Sequence, residues 1–491
     1  MRGTRRGLAA VALSSVLLIH GIGSVLAADG LTPAPSGTPN VVVITLDDVP
    51  YLDGRLFRHL PNIRGAFLER GSTYTDFHGE TPICCPGRVG FLTGQHTHHH
   101  GVLKNDARQF RPDMSLATAL DDIGYQTFLA GKYLNLYSTI APDVPPGWDR
   151  FHAQEAGFYD YLLWSNGRSG VWHGHEKGDY STDVVAKKAV SEIRRTPAET
   201  PVFGWIAPYA AHLPRTPAPR HKKDPRCADI ERWSPPNYME EDVSDKPEYI
   251  RRRSDDGTSG FDLRRICRTL LSVDDLVGDV REALRETGRL QDTLLILTSD
   301  NGMTYGAHRT PDDKKTPYST QIPFLVSWPG RLGTEARVVE TRLMNIDLAP
   351  TVCALTGCVM GPYPNGQQDP DGLSFAPRLL GDGPAPDRAS VLFSYRNPKG
   401  AVPRWWGIGT TAKSSYADVG CSGAASGGCR WLYVRYETGE RELYDLSNGP
   451  CWTWQEGQPG DPCMLENRAG DPSFSSLEAG LAEELLALRR D

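Results

Sequence analysis

Two pairs of polar residues follow apolar runs of the kind that form buried strands. Asp47-Asp48 comes after the run 40–46, and Asp300-Asn301 comes shortly after the run 293–298. In parallel α/β sheets, ligands bind beyond the carboxyl ends of the strands, so both pairs are expected at one edge. Adjacent carboxylates repel each other unless a cation lies between them, although either pair alone would more commonly be a turn or a helix cap. Together they predict one hard divalent ion, Ca²⁺ or Mg²⁺, because both ions take oxygen ligands.

The second chemically distinctive segment is Cys84-Cys85-Pro86-Gly87-Arg88, at the start of a predicted helix over 85–93. Proline is favoured in the first turn of a helix, and the N-terminus of a helix presents free N–H groups that attract anions. Taken alone, the paired cysteines would more commonly be buried or disulfide-bonded thiols.

This segment resembles the Cys-x-Pro-x-Arg core of the formylglycine-dependent sulfatases, and Leu92-Thr93-Gly94 matches the Leu-Thr-Gly that follows it in that family. Nearly the whole chain after the N-terminal segment carries further matches in the family's order. These are Asp47, Asp48, Asp300 and Asn301 at the metal ligands, Gly131-Lys132 at a Gly-Lys motif, Ala211-His212-Leu213-Pro214 at a His-x-Pro segment, Lys314 four residues before Tyr318 at the second sulfate-binding lysine, and Glu442-Leu443-Tyr444-Asp445-Leu446 at a C-terminal Glu-Leu-Tyr-Asp-Leu. Residues 131–135 and His98-x-His100 are most similar to the glucosamine-6-sulfatase branch.

The resemblance implies an exported enzyme that hydrolyses sulfate monoesters of sugars or aryl alcohols. A separate formylglycine-generating enzyme would oxidise Cys84 to formylglycine, whose hydrate is the nucleophile in this family. Arg88, Lys132 and Lys314 would offset the negative charge that repels the nucleophile, and His212 would protonate the leaving alcohol. The implied ligands of the divalent ion are Asp47, Asp48, Asp300, Asn301 and the oxygen of the converted Cys84.

Two positions depart from the family pattern. Gly87 stands where Ser or Ala is usual, and Leu134 stands where many sulfatases carry a histidine two residues after the first sulfate-binding lysine. The base that resets the aldehyde must then come from elsewhere. His98, His100 and His308 are the candidates, although each could equally be a histidine without a catalytic role.

The elements that position these residues alternate along the chain. Further short apolar runs predict strands, at 127–130, 202–207 and 322–328. Helical patterns lie between them, at 115–123, 182–195, 261–286 and 345–355. This alternation predicts an α/β fold in which helices cover both faces of a large, mostly parallel sheet. A hairpin over 431–444 predicts a smaller antiparallel C-terminal subdomain, so we expect a catalytic domain over 39–390 and a subdomain over 391–491.

Length and composition fit a large folded protein. The chain has 491 residues, of which 39% are apolar and 23% charged, and this excludes wholesale disorder. The net charge of −7 gives no indication of a nucleic-acid partner. No apolar run reaches the roughly 18 residues that a membrane span needs.

Residues 1–28 have the features of a signal peptide: a start with three arginines, an apolar stretch over 8–19 and the small pair Ala27-Ala28. We therefore expect a secreted protein. The chain has no Asn-x-Ser/Thr sequon, which fits export from a bacterium.

Export makes disulfides plausible for the ten cysteines. If Cys84 is converted and Cys85 stays free, eight cysteines remain. Pairing each with its nearest neighbour in sequence predicts Cys227–Cys267, Cys353–Cys358, Cys421–Cys429 and Cys451–Cys463.

Two other functions stay open. Relatives with formylglycine on the same fold hydrolyse phosphate or phosphonate monoesters, and an unconverted Cys84 would leave a protein that only binds sulfated glycans. Substrate specificity is expected in the loops 152–180 and 214–260. Their tryptophans Trp164, Trp172 and Trp233 could stack on sugars or belong to the core.

Overall fold

The computed structural model describes residues 1, 37–255, 257, 259–381, 383–397, 400–420 and 428–490. The strands in these ranges are β1 Asn40–Leu46, β2 Ser72–Tyr74, β3 Phe77–His78, β4 Gln126–Lys132, β5 Arg150–Gln154, β6 Tyr161–Ser165, β7 Val171–His173, β8 Val202–Ala207, β9 Thr293–Ser299, β10 Phe324–Ser327, β11 Arg337–Val339, β12 Leu343–Met344, β13 Ser390–Tyr395, β14 Trp405–Thr410, β15 Trp431–Tyr436 and β16 Arg441–Asp445.

The helices in the same ranges vary from one turn to six turns in length. They are α1 Pro61–Ile63, α2 Cys84–Thr93, α3 Thr97–His100, α4 Leu116–Asp121, α5 Ser181–Arg195, α6 Glu248–Arg251, α7 Arg264–Glu286, α8 Pro329–Leu332, α9 Leu348–Thr356, α10 Ala376–Leu380 and α11 Ser475–Leu488.

Ten of the described strands form one sheet in the order β11-β2-β10-β9-β1-β8-β4-β5-β6-β7. Its centre, β9-β1-β8-β4-β5, is parallel throughout, so the carboxyl ends of these five strands lie at the same edge. The β5-β6-β7 end and the pairings of β10 are antiparallel. The fold is the predicted α/β architecture with a large, mostly parallel sheet.

Both faces of the sheet are buried, as the continuous apolar run of β1 predicts. Val41 and Val43 point to a core that includes side chains of α2, α4 and α9. Val42 and Ile44 point to the opposite core, which is built largely from α5 and α7. The alternation of side chains along β1 therefore places one helical layer on each face.

A separate four-stranded antiparallel sheet, β13-β14-β15-β16, confirms the expected C-terminal change of architecture. One face of this sheet packs in a core with Ile83, Met344 and Ile346 of the larger part. The other face is covered by α11, which the sequence analysis did not predict. The small sheet thus packs against α11 on one face and against the segment that leads into α2 on the other.

The predicted strands and helices are present, with shifts of a few residues at their ends. The run 322–328 corresponds to the shorter β10, which lies antiparallel to β9. A parallel return to the sheet requires a long crossover, and the segment between Ser299 and Phe324 contains only one short 3₁₀ turn.

The expectation that 152–180 is a loop is wrong. This segment contributes β5, β6 and β7, which extend the large sheet at one end. The strands are only three to five residues long and are separated by turns, so their alternation is hard to recognise in sequence. Trp164 packs edge-on against Tyr137 in the core, whereas the indole of Trp172 is exposed.

Three of the four predicted disulfides are confirmed, namely Cys227–Cys267, Cys353–Cys358 and Cys451–Cys463. The fourth involves Cys421, which lies outside the described residues, as does the predicted signal peptide apart from Met1. Cys84 and Cys85 are free and buried. In the part of the chain that the structure describes, we find no helix long and apolar enough to cross a bilayer.

Candidate active site

The carboxyl ends of β1 and β9 bring the two predicted acidic pairs together. The strands run in parallel register from Asn40 opposite Thr293 to Leu46 opposite Ser299. The backbone N–H of Asp300 donates to the carbonyl of Leu46 at 3.1 Å, and that of Asp48 donates to Oδ1 of Asp300 at 3.2 Å. Residues 252 positions apart in sequence are therefore fixed side by side.

Cys84 joins these carboxylates from the first turn of α2. One ligand atom from each of Asp47, Asp48, Cys84 and Asp300 lies within 4.8 Å of the others. The Sγ of Cys84 lies 3.8 Å from Oδ1 of Asp47, and all four residues are at most 2% exposed. Three carboxylates and a thiol thus share one buried volume.

Arg88 and Lys132 supply buried positive charge to this cluster. The Nε of Arg88 donates to Asp300 at 2.9 Å, and one of its terminal nitrogens donates to the carbonyl of Lys132 at 2.6 Å. The Nζ of Lys132 donates to Asp47 at 2.6 Å. Lys132 reaches this point because it is the last residue of β4, two strands away from β1.

Lys314 also reaches the cluster, from the chain between β9 and β10. Its Nζ donates to Oδ1 of Asp48 and lies 3.1 Å from the Sγ of Cys84. Of the predicted sulfate-binding groups, Lys314 is therefore in direct contact with the residue expected to carry the nucleophile.

Burial and nearby charges shift the pKa values of the acidic groups in this cluster in different directions. Burial would raise the pKa of Asp47, but Lys132 and Arg88 hold it well below its usual range. Burial, assisted by Asp47, raises the pKa of Asp300 above its usual value. Burial also raises the pKa of the Cys84 thiol to about 11, although Lys132 and Lys314 oppose this shift. An unconverted Cys84 is consequently a neutral thiol at pH 7 and a poor nucleophile.

The donor set fits a hard divalent ion. The Oδ1 of Asn301 is buried and has no hydrogen-bond partner, while its Nδ2 donates to Asp48 at 2.7 Å. An orphaned amide oxygen beside three carboxylates is costly unless something positive binds it. Oxygen ligands of this kind are those of Ca²⁺ and Mg²⁺.

The local structure around Cys84 explains Gly87. A Cβ at this position would lie 2.3 Å from the backbone oxygen of Asp300, so the first turn of α2 packs directly on the backbone of Asp300. Cys85 points away, with its Sγ accepting the N–H of Asn135 at 3.1 Å. Its own N–H donates to Asn105 at 2.9 Å. The two adjacent cysteines thus have different surroundings, and Cys84 alone contacts the acidic cluster.

His212 lies at the rim, after the carboxyl end of β8. Its Nε2 is 3.4 Å from Asp48, and its side chain remains about one-quarter exposed. The hydroxyl of Tyr209 lies 2.8 Å from Nδ1, and the two rings are stacked with centroids 4.7 Å apart. The carbonyl of Leu213 also lies 2.8 Å from Nδ1, so Tyr209 and Leu213 together orient His212 with its Nε2 facing the cluster.

The three histidines considered as resetting bases lie in other surroundings. His98 and His100 belong to a group around the buried Glu80, and burial lowers the pKa of each to about 4. His308 is buried, its Nδ1 is 2.5 Å from Glu240, and burial lowers its pKa to about 3. The contacts described for these three histidines are not with the acidic cluster. The prediction that one of them is the base that resets the aldehyde therefore stays a prediction.

Sequence reasoning missed several residues that shape the site. Tyr209 orients His212, and Asn105 and Asn135 hold Cys85. Tyr209 follows β8 at the same edge as the acidic pairs, so the rule that located those pairs could also have located it. Asn105 lies outside regular structure and carries no comparable signal.

Comparison with known proteins identifies the family. The model of the sulfatase family matches residues 39–358. The human N-acetylglucosamine-6-sulfatase is 31% identical over 422 residues, covering 80% of this chain and 73% of the relative. An arylsulfatase of Volvox carteri is 30% identical over 506 residues, covering 90% of this chain and 74% of the relative.

A solved structure shows the same fold. A protein in complex with its substrate D-glucosamine-2-N,6-O-disulfate superposes with a TM-score of 0.72 at 19% identity. The match covers 92% of this chain and 98% of that protein. The family model covers more than half of the chain, and relatives at 30% identity or above extend over most of it. The chain therefore belongs to the sulfatase family.

Proposed function

We propose that this sulfatase is an exported enzyme that uses a formylglycine made from Cys84 and one divalent ion. The observation that carries the proposal is the position of Cys84: its Sγ lies 3.1 Å from Lys314 and next to three buried carboxylates. An oxygen of the converted residue would take the place of this sulfur. Conversion also removes the obstacle that a thiol with a pKa of about 11 presents.

We propose Asp47, Asp48, Asp300, Asn301 and the oxygen of converted Cys84 as the ligands of the ion, with Ca²⁺ as the preferred metal. The unpartnered Oδ1 of Asn301 supports this set. A bound divalent ion would neutralise negative charge and favour ionisation of an oxygen ligand.

Each remaining polar group has a distinct task in sulfate ester hydrolysis. Lys314 and Lys132 bind the sulfate oxygens and offset charge that would otherwise repel an anionic nucleophile. Arg88 holds Asp300 and the end of β4 in place through its two hydrogen bonds. His212, turned toward the cluster by Tyr209, donates the proton that the leaving alcohol oxygen takes up.

The converted residue would supply a geminal diol. One of its oxygens forms a bond to sulfur while the bond from sulfur to the alcohol oxygen breaks. Loss of a proton from the second hydroxyl then expels sulfate and restores the aldehyde, and addition of water renews the diol. A plain serine has no second hydroxyl and would remain sulfated.

Charge balance favours sulfate over phosphate monoesters. The positive groups are the ion, Arg88, Lys132 and Lys314. The negative groups are Asp47, Asp48, Asp300 and the ionised nucleophile. The positive groups exceed the negative ones by about one charge, which suits a sulfate monoester better than the nearly dianionic phosphate monoester.

The test is steady-state kinetics on the enzyme co-expressed with a formylglycine-generating enzyme. Matched aryl sulfates, aryl phosphates and 6-sulfated N-acetylglucosamine are compared, with Lys314→Met as the variant. We expect higher kcat/KM on the sulfates and a loss of about 10²-fold in the variant, the size of a lost oxyanion donor.

Two results would favour the other functions. Equal or higher kcat/KM on the aryl phosphate would promote phosphate ester hydrolysis. Binding of sulfated sugars without turnover, together with an intact thiol at Cys84 after co-expression, would promote a binding protein with a silent site.

We further propose that a catalytic domain spans 39–390 and a C-terminal subdomain spans 391–491. The family match over 39–358 and the small sheet that begins at Ser390 support this division. The signal-peptide features of residues 1–28 support secretion. Mass spectrometry of the N-terminus of protein recovered from the medium tests cleavage after Ala28.

A further inference from the structure

The segment that carries Lys314 is held by the small C-terminal sheet. We call residues 312–319 the Lys314 segment. The indole Nε1 of Trp405, a buried residue at the start of β14, donates to the carbonyl of Lys315 at 2.8 Å. The C-terminal sheet therefore contacts the backbone of the residue next to the proposed sulfate-binding lysine.

A second contact joins the same two parts. The hydroxyl of Tyr318, at the end of the Lys314 segment, donates to Oε1 of Glu442 at 2.6 Å. Glu442 lies on β16 and is 0% exposed. Its carboxylate also accepts the hydroxyls of Tyr444 at 2.6 Å and Tyr436 at 2.5 Å. Three hydroxyl donors satisfy a carboxylate whose burial would otherwise be unfavourable.

Strand register places this carboxylate where it can act on the segment. Trp405 pairs with Tyr436, and Val434 pairs with Glu442, so these side chains share one face of the small sheet. The same face packs in one core with Ile83, the residue before Cys84. One surface of the C-terminal sheet thus supports both the nucleophile segment and the Lys314 segment.

We infer that Glu442 is a positioning residue that acts through Tyr318 to fix the Nζ of Lys314 against the substrate sulfate. This inference rests on the sulfate-binding role of Lys314 proposed above. It gives the C-terminal Glu-Leu-Tyr-Asp-Leu segment a function in catalysis, since its first residue anchors the loop that carries a sulfate ligand. Glu442 itself does not touch the substrate.

Two single-atom variants separate this function from general stability. Tyr318→Phe removes the hydroxyl that ties the Lys314 segment to Glu442. Tyr444→Phe removes another hydroxyl from the same Oε1, at the same 2.6 Å, without touching the Lys314 segment. Both variants keep their aromatic rings, so we expect similar shifts in melting temperature. Only Tyr318→Phe, which alters the Lys314 segment, should weaken product inhibition by inorganic sulfate. We expect Tyr318→Phe to lower kcat/KM on an aryl sulfate by about tenfold, as for one hydrogen bond, and Tyr444→Phe by less than about twofold.

A double-mutant cycle with Lys314→Met completes the test. If Tyr318 acts through Lys314, adding Tyr318→Phe to Lys314→Met lowers kcat/KM by less than about twofold further. Equal losses in Tyr318→Phe and Tyr444→Phe, or the full tenfold loss in the Lys314→Met background, would overturn the inference. Wild-type turnover in Lys314→Met would instead overturn the proposed function of Lys314, which is a distinct result.

Discussion

Asp76 and Asp300 are both buried carboxylates beside arginine, yet their pKa values shift in opposite directions. Burial would raise the pKa of Asp76, but Arg342 and His78 hold it well below its usual range. Asp76 accepts hydrogen bonds from Arg342 at 3.1 Å and Arg430 at 3.0 Å. Asp300 accepts a hydrogen bond from Arg88 at 2.9 Å, and the pKa of Asp300 is nevertheless raised.

The difference lies in how many acids share the cations. Two arginines serve one carboxylate at Asp76, whereas Asp300 shares its surroundings with Asp47, Asp48 and Cys84. In the region around Asp76, the two arginines balance the charge of the carboxylate. This region also joins the C-terminal sheet to the large sheet. The region around Asp300 leaves a buried amide oxygen of Asn301 unpartnered. The unpartnered amide oxygen and the raised pKa of Asp300 together indicate a place for an added charge, although the pKa of neighbouring Asp47 is held low by its own cations.

The largest expected effect comes from the removal of Cys84, the thiol in the Asp300 region. Cys84→Ala should lower kcat by at least about 10⁴-fold, as expected for loss of the nucleophile. The control is Cys85→Ala, which alters a thiol outside the acidic cluster. Peptide mass spectrometry of wild-type protein, co-expressed with a formylglycine-generating enzyme, should show the modification at Cys84. Modification at Cys85, or wild-type turnover of Cys84→Ala, would contradict the assignment.

Metal removal tests the unsatisfied character of the Asp300 region. Dialysis against a chelator should lower turnover by about 10²–10³-fold, because the proposed ion would balance charge at the reacting centre. Addition of Ca²⁺ should restore activity and raise the melting temperature, since a ligand that binds only the folded state stabilises it.

Elemental analysis should find one ion per chain in wild type and less in Asn301→Ala. Asp76→Asn, whose carboxylate is satisfied by the protein, should keep the full metal content. Active protein without metal would contradict the ligand assignment.

A smaller effect is expected from Tyr209→Phe, which leaves the charges of the site unchanged. The variant loses the hydroxyl that lies 2.8 Å from Nδ1 of His212 but keeps the stacked ring. Proton donation matters most for basic leaving groups, so we expect about a tenfold loss on phenyl sulfate. The loss on 4-nitrophenyl sulfate should be small. Equal losses on both substrates would argue against His212 as the proton donor.

Much of the site follows from sequence because strand ends obey a simple rule. Continuous apolar runs predict β1 and β9, and parallel strands end at one edge, so Asp47 and Asp300 had to meet. The roles of Cys84, Lys132 and Lys314 came from resemblance to a family, since neither lysine lies in a pattern that predicts its partner. The structure brings all five into one cluster.

Other features could not be predicted from sequence for physical reasons. The unusual Gly87 is explained only by a three-dimensional contact, because any larger residue there would place its Cβ 2.3 Å from the backbone oxygen of Asp300. The direction of β10 and the short strands of 152–180 depend on pairing partners far away in sequence. The carboxylate of Glu442 meets the hydroxyl of Tyr318 across 124 residues, and neither position suggests the other.

The smallest expected effect on activity, and a large one on stability, belongs to Asp76→Asn. This variant leaves the buried guanidinium of Arg342 without its carboxylate, which should lower the free energy of unfolding by about 3–5 kcal/mol at pH 7. A carboxylate whose native pKa is depressed stabilises the fold above its unfolded-state value of 3.8, and this contribution is lost as pH falls through the native value. The difference between wild type and Asp76→Asn, measured by urea unfolding, should therefore be constant from pH 7 to pH 5 and shrink below about pH 4. Glu437→Gln, which alters an exposed ion pair with Arg404 on the same small sheet, should change stability by less than about 1 kcal/mol. The folded fraction of Asp76→Asn should keep wild-type kcat and metal content. A fall in kcat without a fall in stability would mean that the Asp76 region takes part in the chemistry, and the contrast with Asp300 would fail.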